Sequence, residues 1–143
     1  MKTIPVIVQH TFNAPASKVW AALTHKKQIK EWYFDIPDFL AEYGATFNFY
    51  GDATHKHHLH HCKITDIVVE EKLSYSWKYE GVFGESHVTF ELFREDDKTR
   101  LRLTHEGLES FPADRNDLSR ANFEKGWDTI INTNLKAYLE KED

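Results

Sequence analysis

A long amphipathic helix near the end of the chain is predicted by the stretch Phe123-Glu124-Lys125-Gly126-Trp127-Asp128-Thr129-Ile130-Ile131-Asn132-Thr133-Asn134-Leu135-Lys136-Ala137-Tyr138-Leu139. Residues at spacings of three and four form one face of this helix, and most of them are apolar. They are Phe123, Trp127, Ile130, Ile131, Asn134, Leu135 and Tyr138. We expect the helix to begin between Asp114 and Ser119. A helix with one apolar face must cover another layer, so we expect it to lie on the concave face of a sheet.

A strand followed by short helices is predicted near the start of the chain. Val6, Val8, His10 and Phe12 alternate with residues of the opposite face, and Pro5 favours the edge of a sheet. A helix follows in the run Asn13-Ala14-Pro15-Ala16-Ser17-Lys18-Val19-Trp20-Ala21-Ala22-Leu23-Thr24, with Pro15 in its first turn. A second short helix is predicted over about residues 26–32.

The sequence between these segments is strand-like and rich in aromatic residues. Alternating apolar residues predict successive strands: Phe47 and Phe49; about His58 to Val69; Leu73, Tyr75 and Trp77; Val88, Phe90 and Leu92; Thr99, Leu101, Leu103 and His105. Gly81 and Gly84 mark one tight turn, and Asp96-Asp97 mark another. Short turns join antiparallel strands, so we expect an antiparallel sheet.

The predicted helices and strands make up an α+β domain, and the length of 143 residues favours a single domain over residues 1–143. The composition excludes several classes of protein. The net charge of −5 provides no cationic field for nucleic acid or for an anionic membrane. Cys62 is the only cysteine, which excludes an internal disulfide and fits a reducing compartment. No segment reads as a signal peptide or a membrane span, so we expect a cytoplasmic location.

Several segments, taken in order, carry a family resemblance: Ala14-Pro15 through Val19-Trp20-Ala21-Ala22-Leu23-Thr24; Leu73-Ser74-Tyr75-Ser76-Trp77; Val88-Thr89-Phe90-Glu91-Leu92; Thr99-Arg100-Leu101-Arg102-Leu103-Thr104-His105-Glu106-Gly107; and Gly126-Trp127. As a set they resemble the family named for the activator of Hsp90 ATPase, which lies in the START and Bet v 1-like superfamily with polyketide-cyclase-like proteins. The resemblance implies a helix-grip fold, in which a curved antiparallel sheet wraps around a long C-terminal helix. It also implies an apolar cavity between helix and sheet.

Three functions are compatible with this fold, since fold alone does not settle function. The first is binding of a small hydrophobic or aromatic ligand, without catalysis. The second is an enzyme of cyclase or hydrolase type that acts on a polyketide-like substrate. The third is a chaperone-associated module that binds another protein, as the family name suggests. An edge strand could also pair with a second copy of the chain.

Ligand contacts are predicted where the short helices, the open end of the sheet and the start of the long helix meet. The aromatic candidates are Trp32, Phe34, Phe39, Phe49, Trp77, Phe111, Phe123 and Trp127. The polar groups expected to orient a ligand are Tyr75, His87 and His105.

His105 is the weak candidate for a catalytic acid or base, because it follows Leu101 and Leu103 on the inward face of its strand. The alternative is a hydrogen-bonded structural histidine. The serines and Cys62 lie in no nucleophile motif, and no nucleotide-binding motif occurs, so we expect no cofactor.

The stretch His55-Lys56-His57-His58-Leu59-His60-His61-Cys62 contains residues that could bind zinc or copper. In a strand, however, His58, His60 and Cys62 point one way and His57 and His61 the other. No more than three could converge, so we assign no metal site. A solvated edge hairpin is the simpler interpretation, and the cluster could also charge below pH ~6.5.

Overall fold

The structure, a computed structural model, describes residues 4–52 and 57–141. Its six strands are β1 (Val6–Phe12), β2 (Thr46–Asp52), β3 (His57–Val68), β4 (Lys72–Tyr79), β5 (Val82–Glu95) and β6 (Lys98–Glu106). They form one sheet in the order β1-β6-β5-β4-β3-β2, and every neighbouring pair is antiparallel. The predicted α+β helix-grip fold and the edge position of β1 are confirmed.

The helices are α1 (Ala16–Thr24), α2 (Lys26–Trp32), α3 (Arg120–Thr129) and α4 (Lys136–Glu140), with a π-helical segment over Ile130–Leu135 that joins α3 to α4. Short 3₁₀ turns cover Leu108–Ser110 and Asn116–Leu118. We refer to α3, the π-helical segment and α4 together as the C-terminal helix. No helix in the described part of the chain is long and apolar enough to cross a membrane.

Strand alternation decides which side chains reach the concave face of the sheet. In β6, the buried residues Thr99, Leu101, Leu103 and His105 alternate with half-exposed ones. The same alternation buries Phe47 and Phe49 in β2, Tyr75 and Trp77 in β4, and Val88 and Phe90 in β5. The inner face is therefore almost continuously apolar, and the C-terminal helix covers it.

Five residues of the C-terminal helix are buried at a strict spacing of four: Phe123, Trp127, Ile131, Leu135 and Leu139. In an ideal α-helix, four residues turn through about 40° more than one full turn, so residues at a spacing of four drift slowly around the helix. The π-helical segment turns less per residue, which reduces this drift and keeps the buried residues against the sheet. For this reason Asn134, which we expected on the buried face, is exposed.

Side-chain contacts hold the two short helices to this framework. Trp32 donates its indole N–H to the Ala22 carbonyl oxygen at 2.9 Å, which ties α2 to α1. Lys18 of α1 donates to the Leu139 carbonyl oxygen at 2.8 Å, and the Tyr138 hydroxyl donates to Gln28 at 3.0 Å. Both short helices are thus connected to the end of the C-terminal helix.

Two sequence-based assignments of element ends differ from the structure. Gly84 does not lie in the turn but within β5, since that strand already begins at Val82. Its φ of +110° and its close approach to Ser110 explain why a glycine occupies a strand position. Pro15 is the residue just before α1, where its fixed φ and missing N–H cost nothing.

Candidate functional site

A partly open pocket of about 240 Å³ lies between the sheet, the end of α2 and the first turns of the C-terminal helix. We call it the helix–sheet pocket. It is lined by Phe34, His60, Trp77, Tyr79, Asp117, Leu118, Asn122, Phe123, Gly126, Trp127 and Ile130. The first four come from the loop after α2 and from β3 and β4, and the rest from the second 3₁₀ turn and the C-terminal helix.

Aromatic rings form most of the pocket wall. The ring centroids of Trp77 and Trp127 lie 5.7 Å apart, and those of Trp77 and Phe123 lie 6.4 Å apart in an edge-to-face arrangement. On the opposite side, the Phe34 ring stacks on Phe49 at 4.8 Å, and Phe49 stacks on His60 at 4.4 Å. These contacts hold the rings in fixed orientations around the open space.

Asp117 is the one carboxylate among the described residues that line the pocket. Its two oxygens accept from the Arg115 guanidinium at 2.9 Å and 2.8 Å. Asn122 donates its side-chain amide to the Asp117 backbone carbonyl oxygen at 2.7 Å. The negative charge at the pocket mouth is thus paired, so the pocket has no uncompensated charge with which to select a cation.

Tyr79 brings a hydroxyl to the wall, and burial raises its pKa well above the ordinary value. The Trp77 indole N–H lies next to this hydroxyl and lowers the pKa of the phenol, but by less than burial raises it. The Tyr79 phenol therefore remains neutral at physiological pH.

His105 does not line the pocket but lies one layer behind it, fully buried. The Trp127 indole N–H donates to His105 Nδ1 at 2.9 Å, and Nε2 lies 2.7 Å from the Ser86 hydroxyl oxygen. An indole N–H can only donate, so Nδ1 carries no proton and Nε2–H donates to Ser86. Burial lowers the pKa of His105 to about 3, with smaller contributions from His87 and His60. The ring is neutral and both its nitrogens are engaged within the protein.

The predicted ligand residues fall into three groups in the structure. Phe34, Trp77, Phe123 and Trp127 line the helix–sheet pocket. Phe49 and Phe111 support its walls, since Phe49 stacks on Phe34 and His60 and Phe111 lies 6.3 Å from Phe123. Trp32, Phe39 and Tyr75 surround a separate void of only about 10 Å³, which is too small for more than a water molecule.

Tyr75 borders that small void together with Tyr33, and the two tyrosines form a buried pair. Its hydroxyl lies 3.0 Å from the Tyr33 hydroxyl, and burial raises the pKa of both phenols. Their hydroxyls satisfy each other, which is the usual condition for burying a polar group in a core.

The expectation that His87 faces the cavity is wrong. In β5 the inward residues are Ser86 and Val88, so His87 between them points to the outer face of the sheet. There its Nε2 lies 2.7 Å from the Thr65 hydroxyl.

The histidine-rich stretch is divided between the two faces of the sheet. His60 and Cys62 are buried on the inner face, which corrects the interpretation of a solvated hairpin at these two residues. His61 lies on the outer face, where its ring contacts Asn48 and Glu80. His55 and the side chains of His57 and His58 lie outside the described residues. Among the residues that are described, no group of three histidine, cysteine or acidic residues is arranged to hold a metal ion.

The pocket residues that were not predicted from the sequence are His60, Tyr79, Asp117, Leu118, Asn122, Gly126 and Ile130. A signal existed for three of them. His60 shares strand parity with Cys62, and Tyr79 follows Tyr75 and Trp77 at spacings of two. For Gly126 the signal was its position, since a glycine one residue before Trp127 leaves the helix surface open there.

Comparison with known proteins now identifies the family. Residues 13–140 match the family model described as Activator of Hsp90 ATPase homolog 1-like protein. The chain belongs to this family. No curated protein matches the sequence.

Several solved structures have the same fold. Protein MLL2253 from Mesorhizobium loti is 27% identical, with a TM-score of 0.80 and with 98% of this chain and 99% of that chain covered. CalU16 from Micromonospora echinospora is 24% identical, with a TM-score of 0.74 and coverage of 95% and 76%. BH1534 from Bacillus halodurans is 24% identical, with a TM-score of 0.77 and coverage of 97% and 99%. These likenesses establish the fold in which the helix–sheet pocket lies.

Proposed function

We propose that this protein binds a small, uncharged, aromatic or otherwise hydrophobic molecule in the helix–sheet pocket. The observation that carries the proposal is the open space of about 240 Å³ between the Phe34, Trp77, Phe123 and Trp127 rings. A planar apolar ligand would replace water against these rings and gain the free energy of burying its own surface. The volume lies slightly below the usual range for ligand sites, so the ligand is small.

The polar groups of the pocket support an uncharged ligand with one or two hydrogen-bonding atoms. Asp117 is neutralised by Arg115, and the Tyr79 phenol is neutral. A charged ligand would lose hydration without meeting a compensating charge. The Asn122 amide and the Tyr79 hydroxyl are the groups placed to orient a polar substituent.

The test is a titration of the ¹⁵N-labelled protein with 2-naphthol, a neutral bicyclic aromatic probe, followed by amide and indole chemical shifts. We expect shifts at the Gly126 amide and at the Trp77 and Trp127 indole groups. A Cβ at position 126 would meet nothing within 4 Å, so a side chain can be added there without a clash. We expect Gly126→Ala to bind the probe and Gly126→Leu, which fills the mouth, to bind it about tenfold or more weakly.

Comparing alanine with leucine at one helical position separates pocket volume from helix propensity, because the two residues have similar propensities. The proposal is contradicted if the wild-type protein shows no shifts at these groups, or if the leucine variant binds as tightly as the alanine variant.

The enzyme hypothesis makes a different demand on the site. General acid or base catalysis by His105 would need a ring nitrogen within reach of a ligand, but both nitrogens bond to Trp127 and Ser86. This geometry favours binding over catalysis by that residue.

The chaperone hypothesis predicts that stimulation of an Hsp90 ATPase would survive Gly126→Leu, because a surface contact does not depend on the pocket.

A further inference from the structure

The Trp127 indole forms one wall of the helix–sheet pocket, and its neighbours determine the orientation of the ring. Its ring lies 5.7 Å from Trp77 and 5.8 Å from Tyr33, with Tyr33 nearly parallel to it. Aromatic contacts of this kind favour offset-stacked and edge-to-face arrangements over a range of centroid distances. The hydrogen bond from the indole N–H to His105 Nδ1, at 2.9 Å, is directional and sets the ring at one angle.

His105 is itself held rigidly from several directions. Its backbone lies in β6, between Val6 of β1 and Val88 of β5. Its ring packs edge-to-face against Phe123 at 4.8 Å and Trp77 at 5.2 Å. The hydrogen bond to Trp127 therefore joins a fixed point of the sheet to a residue of the C-terminal helix.

Ser86 supports the same tautomer of His105 that the Trp127 indole requires. Its hydroxyl donates to the Trp77 backbone carbonyl oxygen at 3.3 Å, which turns its oxygen lone pairs toward His105 Nε2. Nε2 must then carry the proton, and Nδ1 is left as the acceptor that the indole N–H needs. A second-layer partner that selects a histidine tautomer is a familiar device in protein sites.

We propose that His105 is a positioning residue of the helix–sheet pocket: it holds the Trp127 ring as a wall of the pocket, and Ser86 holds His105 in the tautomer that allows this. The inference rests on the proposed function for its effect on binding, while its effect on the Trp127 ring is independent of any ligand. His105 does not touch the ligand; it acts through Trp127.

The experiment compares His105→Gln with His105→Leu. Glutamine offers an oxygen that can accept from the indole N–H and an amide that can donate to Ser86, whereas leucine fills the space without either. We expect His105→Gln to bind 2-naphthol within about threefold of wild type, and His105→Leu to bind about tenfold more weakly while retaining a folded amide spectrum. We also expect the Trp127 indole hydrogen to exchange with solvent faster in the leucine variant only.

Two further measurements keep the inference testable if His105→Leu does not fold. Trp127→Phe retains an aromatic wall but loses the indole N–H, so it should also bind the probe more weakly, with no rescue by His105→Gln. In the wild-type protein, the ¹⁵N shifts of the His105 ring should show a proton on Nε2 and none on Nδ1.

The outcomes separate the two proposals. If wild type and Gly126→Ala do not bind 2-naphthol, the proposed function fails, and the positioning of Trp127 is judged by indole exchange and the histidine tautomer. If wild type binds but a folded His105→Leu or Trp127→Phe protein binds equally well, the inference is overturned and the proposed function stands. The opposite tautomer of His105 would also overturn it.

Discussion

His105 and Ser86 lie 2.7 Å apart, from ring Nε2 to hydroxyl Oγ, at a place in the sheet where neither side chain reaches solvent. A protonated histidine there would present a second N–H to Trp127, which can only donate, and would place a charge among aromatic rings. This explains physically why the pKa of His105 is lowered, chiefly by burial, from 6.5 to about 3.

We therefore expect acid to destabilise the protein through His105. Below pH 6.5 the unfolded chain protonates this residue while the folded protein does not, so the unfolded state binds more protons. The neutral His105 ring contributes fully to the free energy of unfolding above pH 6.5, and this contribution is lost as the pH falls towards 3. In this range the free energy of unfolding changes with a slope that approaches about 1.4 kcal/mol per pH unit. Urea unfolding across this range measures the slope, and His105→Gln, which does not titrate, should show a shallower one. Equal slopes in the wild-type and His105→Gln proteins would contradict the lowered pKa of His105.

Gly84 should tolerate no side chain. A Cβ there would lie 2.5 Å from the Ser110 carbonyl oxygen and 2.8 Å from the Phe111 ring, at a φ of +110°. We expect Gly84→Ala to lower the free energy of unfolding by roughly 2–4 kcal/mol. Gly81→Ala is the matched control, since Gly81 also has positive φ but meets nothing within 4 Å; it should cost about 1–2 kcal/mol. Urea unfolding of both variants is the measurement, and equal losses would show that the contact with Ser110 has no consequence.

The fold was predictable because strand parity leaves little freedom once one face of a sheet is buried. Thr99, Leu101, Leu103 and His105 were assigned to the inner face from alternation alone, and all four are buried. The same rule excludes His87 from the inner face, because His87 alternates with the apolar residues Val88 and Phe90 of its strand. His87 has the polar character expected of a group that orients a ligand, but its place in the strand puts it on the outer face.

The boundary between core and pocket was not predictable in the same way. Trp32 and Trp77 are both buried aromatic residues, yet the first packs around a void of about 10 Å³ and the second lines an open pocket. The difference depends on the gap between the first turns of the C-terminal helix and strands β3 and β4. Such a gap is a product of tertiary packing, and local residue patterns carry no information about it.

Cys62 should be chemically inert in the folded protein. Its side chain is on the inner face and 3% exposed, and burial raises the pKa of the thiol above its ordinary value. Since the thiolate is the reactive form, we expect labelling by Ellman's reagent to require opening of the structure and to accelerate with added urea. The fully unfolded protein provides the reference rate. Complete labelling of the native protein at that same rate would contradict the buried position of Cys62.

Ser119 should stabilise the start of the C-terminal helix as its N-cap. Its hydroxyl oxygen accepts the Asn122 backbone N–H at 3.2 Å, which satisfies one of the free donors of the first turn. We expect Ser119→Ala to cost about 1 kcal/mol of unfolding free energy and Ser119→Asp to cost little, because aspartate caps equally well. Thermal or urea unfolding measures both. A loss in the aspartate variant as large as in the alanine variant would show that the cap is not the cause.

Gly126 should be replaceable with a gain in stability. It lies inside α3, where glycine carries a conformational entropy cost, and an added Cβ would meet no atom within 4 Å. We expect Gly126→Ala to raise the free energy of unfolding by about 0.5–1 kcal/mol. Ala137→Gly, at an exposed position of α4, is the reverse control and should lower it by a similar amount. Urea unfolding of the two variants measures both changes. A destabilised Gly126→Ala protein would contradict the open space that surrounds position 126 in the structure.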